Sequence, residues 1–164
     1  MIITGGSTLS VACDEALSDG LEAGDLTLSE LAIFPFTNGT AAGQCDLKWS
    51  KSSTLAFGAS DTWTLSALTD GLGRSVAFAR VNYFLIETGA TADGDDLEVD
   101  QSVTHAMASI GGTFLVKSLG VEFKAATNTT GFVVTSGSAD VLKITNMSST
   151  NSITYRIVLI GRSV

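Results

Sequence analysis

The sequence predicts an all-β protein: an antiparallel β-sandwich of the jelly-roll type with eight to ten strands. The first reason is composition, because charged residues make up only 16% of the chain and 17 glycines are present. The average soluble domain carries about 25% charged residues. Such a mixture favours short strands joined by tight turns. The second reason is that apolar and polar residues alternate at period two, with no sustained helical period. An up-and-down β-barrel is the alternative architecture.

The clearest alternation lies in the last quarter of the chain, in residues 140–146 and 153–160. The apolar residues that share one face are Leu142 and Ile144 in the first run and, in the second, Ile153, Tyr155, Ile157 and Leu159. The linker between the runs is polar and contains no strong helix former. This pattern predicts two antiparallel strands, each half-buried on a core, that close a sheet.

The first 25 residues are the least regular part, and we expect an N-terminal arm at 1–25 followed by a β-sandwich domain at 26–164. Ile2, Ile3, Leu9 and Val11 suggest a short strand, and the segment from Cys13 to Leu21 suggests one helical turn. An irregular segment with apolar residues either packs on its own domain or lies across a neighbour. We therefore name these four apolar residues as candidate interface residues and residues 1–11 as a candidate arm.

The remaining strands follow from alternation bounded by glycine, asparagine and serine turns. We expect them at residues 26–36, 44–50, 54–57, 62–68, 75–88, 97–103, 114–119, 121–124 and 132–135. Both faces of the 75–88 segment are largely apolar, so this strand is either central in a sheet or carries a bulge that exchanges its faces.

Two polar residues, Arg80 and Asn82, interrupt that long strand. One interpretation is that their side chains bind backbone carbonyls, as buried polar groups usually do. The other is that they contact a partner subunit, and on this basis both are candidate interface residues.

The net charge, the hydropathy pattern and the cysteine spacing disfavour several classes of ligand and location. A net charge of −8 and scattered basic residues disfavour nucleic-acid binding, which draws on Lys and Arg. No apolar run approaches the ~20 residues of a membrane helix, and no signal-peptide pattern opens the chain. Cys13 and Cys45 lack the spacing of a zinc site, so we expect two free, buried thiols in a reducing cytoplasm and no cofactor.

No set of residues in the sequence has the pattern of an active site. His105 is the only histidine, and no nucleophile-elbow motif accompanies it. The acidic residues Asp93, Asp95 and Asp96 lack EF-hand spacing, so a solvated turn is the simpler interpretation than a calcium site. Trp49 and Trp63 fall on predicted core faces, which disfavours sugar stacking. We expect no catalytic residues, no metal site and no enzyme activity.

Two stretches resemble small virion proteins of tailed bacteriophages. They are residues 61–76, which read DTWTLSALTDGLGRSV, and the ending, which reads ADVLKITN at 139–146 and YRIVLIG at 155–161. The group that they resemble is the capsid decoration, or cement, proteins. These are β-rich modules that oligomerise on the outer shell and clamp neighbouring capsid subunits.

The resemblance implies a structural protein without catalytic residues. Its implied partners are the major capsid protein and further copies of itself, as a dimer or trimer. Its implied location is the capsid surface of the virion, after synthesis in the host cytoplasm. A receptor- or carbohydrate-binding β-module of a phage tail or fibre is the alternative.

Overall fold

The computed structural model describes residues 5–17, 24–126 and 131–164, and in these ranges the chain consists of strands and turns. The strands are β1 (Gly5–Leu17), β2 (Gly24–Asn38), β3 (Gln44–Cys45), β4 (Leu47–Leu55), β5 (Ser60–Thr64), β6 (Leu68–Thr69), β7 (Ser75–Val76), β8 (Arg80–Thr88), β9 (Leu97–Asp100), β10 (Phe114–Val116), β11 (Val121–Ala125), β12 (Phe132–Val133), β13 (Val141–Asn146) and β14 (Ile153–Arg162). The only helical element in the described ranges is one turn of 3₁₀-helix, Ala108–Ile110. Within the same ranges no helix is long and apolar enough to cross a membrane.

Two antiparallel sheets form the body of the protein. One has the strand order β10-β9-β13-β5, and the other has the order β11-β8-β14-β4 with β12 added to β8. The two sheets are packed against each other and together contain nine strands, within the predicted range of eight to ten. The all-β sandwich is therefore confirmed.

The strand pairs of the sandwich are nested in the manner of a jelly roll. The first strand, β4, pairs with the last, β14, and β5 pairs with β13. Inside these pairs, β8 pairs with β11 and β9 pairs with β10. This nesting is what results when one long hairpin is rolled into two sheets. The up-and-down barrel was the wrong alternative, because consecutive strands would pair there and β4 and β5 lie in different sheets.

The hydrophobic core lies between the two sheets, and the faces predicted for the last two strands are confirmed. Leu142 and Ile144 of β13 are fully buried, as are Ile157 and Leu159 of β14. The four-stranded sheet adds Leu97 and Val99, and the five-stranded sheet adds Phe84 and Ile86. One continuous cluster joins all of them, so the sandwich is a single packing unit.

Both tryptophans contribute to the core, as predicted. The ring centroids of Trp49 and Trp63 lie 5.2 Å apart. Trp63 Nε1 donates a hydrogen bond to the Tyr155 hydroxyl at 3.0 Å, and that hydroxyl donates to Asp61 Oδ2 at 2.8 Å. Burial raises the pKa of Tyr155 above its ordinary value. Trp49 is thus buried and Trp63 is half-buried, and both indoles are engaged by partners inside the chain.

Two predicted elements need correction. The strand expected at 75–88 is divided into β7 and β8, because Phe78 N donates to Leu65 O and Ala79 N donates to Arg162 O, outside a regular ladder. The helical turn expected from Cys13 is also wrong as far as Leu17, since these residues pair with β2. Residues 18–21, the rest of that predicted turn, lie outside the described residues.

Candidate interaction surface at the N-terminal hairpin

β1 and β2 form one long antiparallel ribbon, here called the arm hairpin. Its register runs from Gly5 opposite Phe36 to Leu17 opposite Gly24. Because side chains alternate along a strand, residues opposite one another share a face. In this register most of the large apolar residues of the sequence occupy one of the two alternating sets of positions, and we call this set of positions the apolar ribbon face: Leu9, Val11, Cys13, Leu17, Leu26, Leu28, Ala32, Phe34 and Phe36. Most polar residues of the hairpin fall on the other face: Thr8, Ser10, Asp14, Asp25, Thr27 and Ser29.

The predicted arm residues fall on this ribbon where the structure describes them. Leu9 lies opposite Ala32 and Val11 lies opposite Glu30, both on the apolar ribbon face. Ile2 and Ile3 lie outside the described residues. The expected boundary between residues 25 and 26 falls inside β2, so strand pairing joins the expected arm to residues 26–38.

The root of the hairpin is attached to the end of β14. Thr37 and Asn38 pair in parallel with β3, which leads directly into the sandwich. The Arg162 guanidinium donates to the carbonyl of Thr40 at 3.0 Å. Asp46 N donates to the carbonyl of Gly161 at 3.0 Å, and the Asp46 carboxylate accepts two hydrogen bonds from Ser163. These bonds fix the position from which the arm hairpin leaves the body.

Beside this root a second hydrophobic cluster lies on the outside of the five-stranded sheet. Cys45 and Tyr83 are buried there, with Phe123, Ala125 and Ile160 partly buried around them. Burial raises the pKa of the Cys45 thiol to about 11, although the nearby Arg162 charge opposes the shift. The prediction of a free, buried thiol is confirmed for Cys45. Sequence reasoning missed the cluster, although its signal was the second apolar set of the 75–88 segment.

The two outer faces of the sandwich differ in chemistry. On the five-stranded sheet, Leu85 of β8 lies opposite Phe123 of β11 on one side and opposite Val158 of β14 on the other. Ile160 follows Val158 by two residues on β14 and therefore lies on the same face. These four half-buried residues form a band that we call the apolar strip. On the four-stranded sheet the corresponding positions are occupied by Ser60, Thr62, Thr64, Lys143 and Thr145. The apolar strip therefore continues outward from the cluster at the hairpin root, while the opposite outer face is mostly polar, with Val141 and Leu115 as its apolar residues.

Asn82 is the extra residue of a β-bulge in β8. Tyr83 pairs with Ile160 and Val81 pairs with Gly161, so Asn82 has no partner position on β14. The bulge places Val81 and Phe84 in the same core although they are three residues apart. This is the exchange of faces that the sequence offered as one explanation for its apolar pattern, and it is confirmed.

The side chain of Asn82 is used inside the chain. It is 1% exposed, and its Nδ2 donates to the carbonyl of Ala126 at 2.8 Å. The backbone carbonyl of Asn82 accepts from Ala126 N at the same distance. Of the two interpretations of Asn82, binding to a backbone carbonyl is the one observed. Arg80, two residues earlier, is partly exposed and lies opposite Arg162 in the ladder, close to the hairpin root.

The acidic turn is held by internal bonds. Asp96 forms an ion pair with Lys117 at 2.6 Å, and Asp95 Oδ2 accepts from Asn151 Nδ2 at 2.9 Å. Asp93 is exposed. In the part of the chain that the structure describes, no group of three His, Cys, Asp or Glu residues is placed to hold a metal ion. The carboxylates of Asp95 and Asp96 therefore have a structural role, because they hold this turn to neighbouring turns.

His105 lies in a turn with a positive φ of 62°. Its carbonyl accepts hydrogen bonds from the backbone N–H groups of Asp140 and Val141. The buried Asp140 carboxylate accepts from the Ser66 hydroxyl and from Gly137 N. Burial acts to raise the pKa of Asp140, but these two hydrogen bonds and the His105 charge outweigh it and the pKa is lowered. The serine bonds the carboxylate directly, which is not the geometry of a catalytic triad, where histidine lies between the two.

No protein-family model matches the chain, and no curated protein is significantly similar to it.

Proposed function

We propose that this chain is a structural virion protein that decorates and stabilises a phage capsid by clamping neighbouring major capsid subunits. The observation that carries the proposal is the arm hairpin, whose apolar residues collect on one face of a long two-stranded ribbon. A two-stranded ribbon is marginally stable on its own and gains stability when its apolar face packs on another surface. A clamp needs such an extended element together with a rigid body.

The jelly-roll body supplies the rigid part. Its continuous core fixes the two sheets, and the bonds of Arg162 and Asp46 hold the hairpin root to β14. The apolar strip beside the root offers a further surface for a neighbouring subunit, and the polar opposite face suits contact with water. In this proposal the protein acts on the capsid surface of the virion as a homo-oligomer, after synthesis in the host cytoplasm. The net charge of −8 supports protein partners over nucleic acid.

Shell binding by hairpin variants tests the proposal. The probe is the empty shell assembled from the major capsid protein of the phage to which the proposal assigns this chain, and the readout is co-sedimentation over a range of protein concentrations. Leu9→Ser combined with Val11→Ser removes two apolar residues from the apolar ribbon face. Since burial of one such side chain contributes about 1.5–3 kcal/mol, affinity for the shell should fall by at least roughly tenfold.

The matched control lies on the same strand. Thr8→Ala combined with Ser10→Ala changes the opposite face of β1 and should leave shell binding within about twofold of the wild type. Far-ultraviolet circular dichroism establishes that both variants keep the sandwich. Equal binding by the two double variants, or no binding by the wild type, would contradict the proposal.

A further inference from the structure

The end of the sandwich away from the hairpin root is formed by four turns, which we call the loop end. They connect β4 to β5, β8 to β9, β10 to β11 and β13 to β14, at residues 56–59, 89–96, 117–120 and 147–152. The nested strand order places these four connections together, because β14 runs from the loop end at Ile153 to the hairpin root at Arg162. None of these four turns belongs to the arm hairpin or to the apolar strip.

Three large apolar side chains project from this end. Phe57 is 61% exposed, Leu119 is 73% exposed and Met147 is 49% exposed. They belong to three different turns, so no single stretch of sequence marks them. Isolated exposed apolar residues are common, but several on one end of a soluble domain mark a contact surface.

The turns that carry these side chains are tied to one another. Asn146 Nδ2 donates to the carbonyls of Leu55, Ala56 and Asn151, and Asn146 N donates to Ala59 O. Met147 N donates to the carbonyl of Asp96, the residue whose carboxylate binds Lys117 and Ser118 N. Asn146 is 1% exposed, so this network lies inside the loop end. The apolar side chains therefore stand on a fixed base, which lowers the entropic cost of binding.

Leu119 also has a backbone conformation that leucine rarely adopts. Its φ is 56°, in the left-handed region that favours glycine or asparagine. Its N–H donates to the carbonyl of Ala90 at 2.8 Å, which holds the turn in place. Residues held in such conformations cluster at functional sites, and an exposed leucine here is consistent with a contact outside the chain.

Charge decides which kind of partner fits. The 89–96 turn carries an exposed carboxylate, Asp93, and two buried ones, Asp95 and Asp96, of which Asp96 is paired with Lys117. The apolar side chains therefore stand beside an acidic excess. Two copies of this end placed against each other would bring their acidic turns together, which is unfavourable.

We infer that the loop end is a second docking surface, which inserts Phe57, Leu119 and Met147 into an apolar recess bordered by lysine or arginine on a capsid subunit. This inference rests on the proposed function, because the shell is its occupant. A clamp that holds two neighbouring subunits needs two contact regions, and the arm hairpin and the loop end lie at opposite ends of β14. The partner is thus recognised by apolar fit at the centre and by opposite charge at the rim.

The test uses the same shells and the full chain. The variant Phe57→Ser/Leu119→Gly/Met147→Ser should bind the shell at least tenfold more weakly than the wild type. Its matched control is Leu72→Ser/Val164→Ser, which removes two side chains of similar exposure, 79% and 67%, outside the loop end. This control should bind within about twofold of the wild type. Asp93→Lys, which reverses the rim charge, should also weaken binding, by more than threefold.

Each outcome has one meaning. If the wild type and the triple variant bind equally, the inference is overturned and the proposed function stands. If binding fails only for the hairpin variant, the arm alone makes the contact, and the loop end is again excluded. Loss of wild-type self-association in the triple variant, measured by sedimentation velocity, would identify a second copy as the occupant and overturn the inference. Absence of wild-type binding to the shell overturns the proposed function and, with it, the shell as occupant.

Discussion

At Gly161 the backbones of β14 and β8 approach so closely that no side chain fits. A Cβ built there would clash with the carbonyl oxygen of Arg80 and lie 3.0 Å from the Phe78 ring. Since one of these neighbours is backbone, it cannot turn away. Glycine is therefore required at position 161, because the space beside the bulge admits no side chain.

We predict that Gly161→Ala destabilises the protein by about 3 kcal/mol, because the sheet must open to admit the methyl group. The melting temperature should fall by about 10 °C in a chain of this length. Differential scanning calorimetry measures it.

The matched control is Gly71→Ala. No atom lies within 4 Å of the position that its Cβ would take, and its φ is not positive. Stability should change by no more than about 0.5 kcal/mol. Equal effects of the two substitutions would show that close approach at Gly161 is not what selects glycine.

The burial of a single residue could be predicted from the sequence where one physical rule determines it. Alternation in β14 predicted that Tyr155 and Ile157 are buried, because one face of a strand meets the core. The need for glycine at 161 was not predictable, since it depends on Arg80, a residue far away in the sequence. The burial of Cys45 was predicted, but the cluster that buries it was not, because Tyr83 comes from another strand.

Among the elements, β8 shows how a single inserted residue can be accommodated. Asn82 has no paired residue on either neighbouring strand. On β14, Ile160 and Gly161 are consecutive but pair with the residues on either side of Asn82. On the other side of β8, those two residues pair with Ala125 and Phe132. Removing this residue would leave Val81 and Phe84 two positions apart, which is the normal spacing for one face.

We therefore predict that deletion of Asn82 leaves the domain folded. The two hydrogen bonds to Ala126 are lost, and at about 1 kcal/mol each the stability should fall by about 2 kcal/mol. Urea denaturation followed by tryptophan fluorescence measures the loss, because Trp49 and Trp63 both lie in the core region.

Deletion of Leu85 is the control. Leu85 has partners on both sides, Phe123 and Val158, so its removal moves half of β8 to the opposite face. This variant should not fold. A folded Leu85 deletion, or an unfolded Asn82 deletion, would contradict the assignment of the bulge.

The elements were predictable to the extent that their pattern is local. The strands at the C-terminus were found because alternation and polar turns coincide there. The helical turn expected from Cys13 was wrong because helix-compatible residues such as Glu15 and Ala16 are overridden by pairing with β2. The bulge was foreseen as one explanation for the apolar pattern of β8, but the pattern did not identify Asn82 as its extra residue.

At the scale of the whole molecule, the arm hairpin should govern self-association. Its apolar ribbon face, which the shell covers in the proposed function, can be covered by a second copy while no shell is present. We predict that light scattering at micromolar concentration gives two or three times the chain mass of 16.9 kDa. A variant that lacks residues 1–36 should give the mass of a single shortened chain.

The Thr8→Ala/Ser10→Ala variant serves as the control and should keep the wild-type mass. A wild-type monomer, or an oligomer that survives removal of the hairpin, would show that the hairpin does not join copies of the chain in solution.

The whole architecture was the least accessible to sequence reasoning. Alternation showed that strands exist and which face is apolar, and this was enough for a sandwich. It did not show which strands pair, because every half-buried strand presents a similar pattern. The loop end was not found for a related reason: the turns that carry Phe57, Leu119 and Met147 lie at the same end only because of the nested strand order.

The nested order of the strands also governs how the chain acquires its structure. β4 pairs with β14, about a hundred residues later, and β5 pairs with β13, so the outer strands of the roll have no final partners until the last strands have been synthesised. Closing such long loops costs entropy before any core is gained, which makes folding slow compared with proteins of local topology. The newly made chain therefore exposes unpaired strand edges for a long period. The low aromatic content, 7%, and the acidic net charge of −8 reduce the tendency to aggregate during that interval.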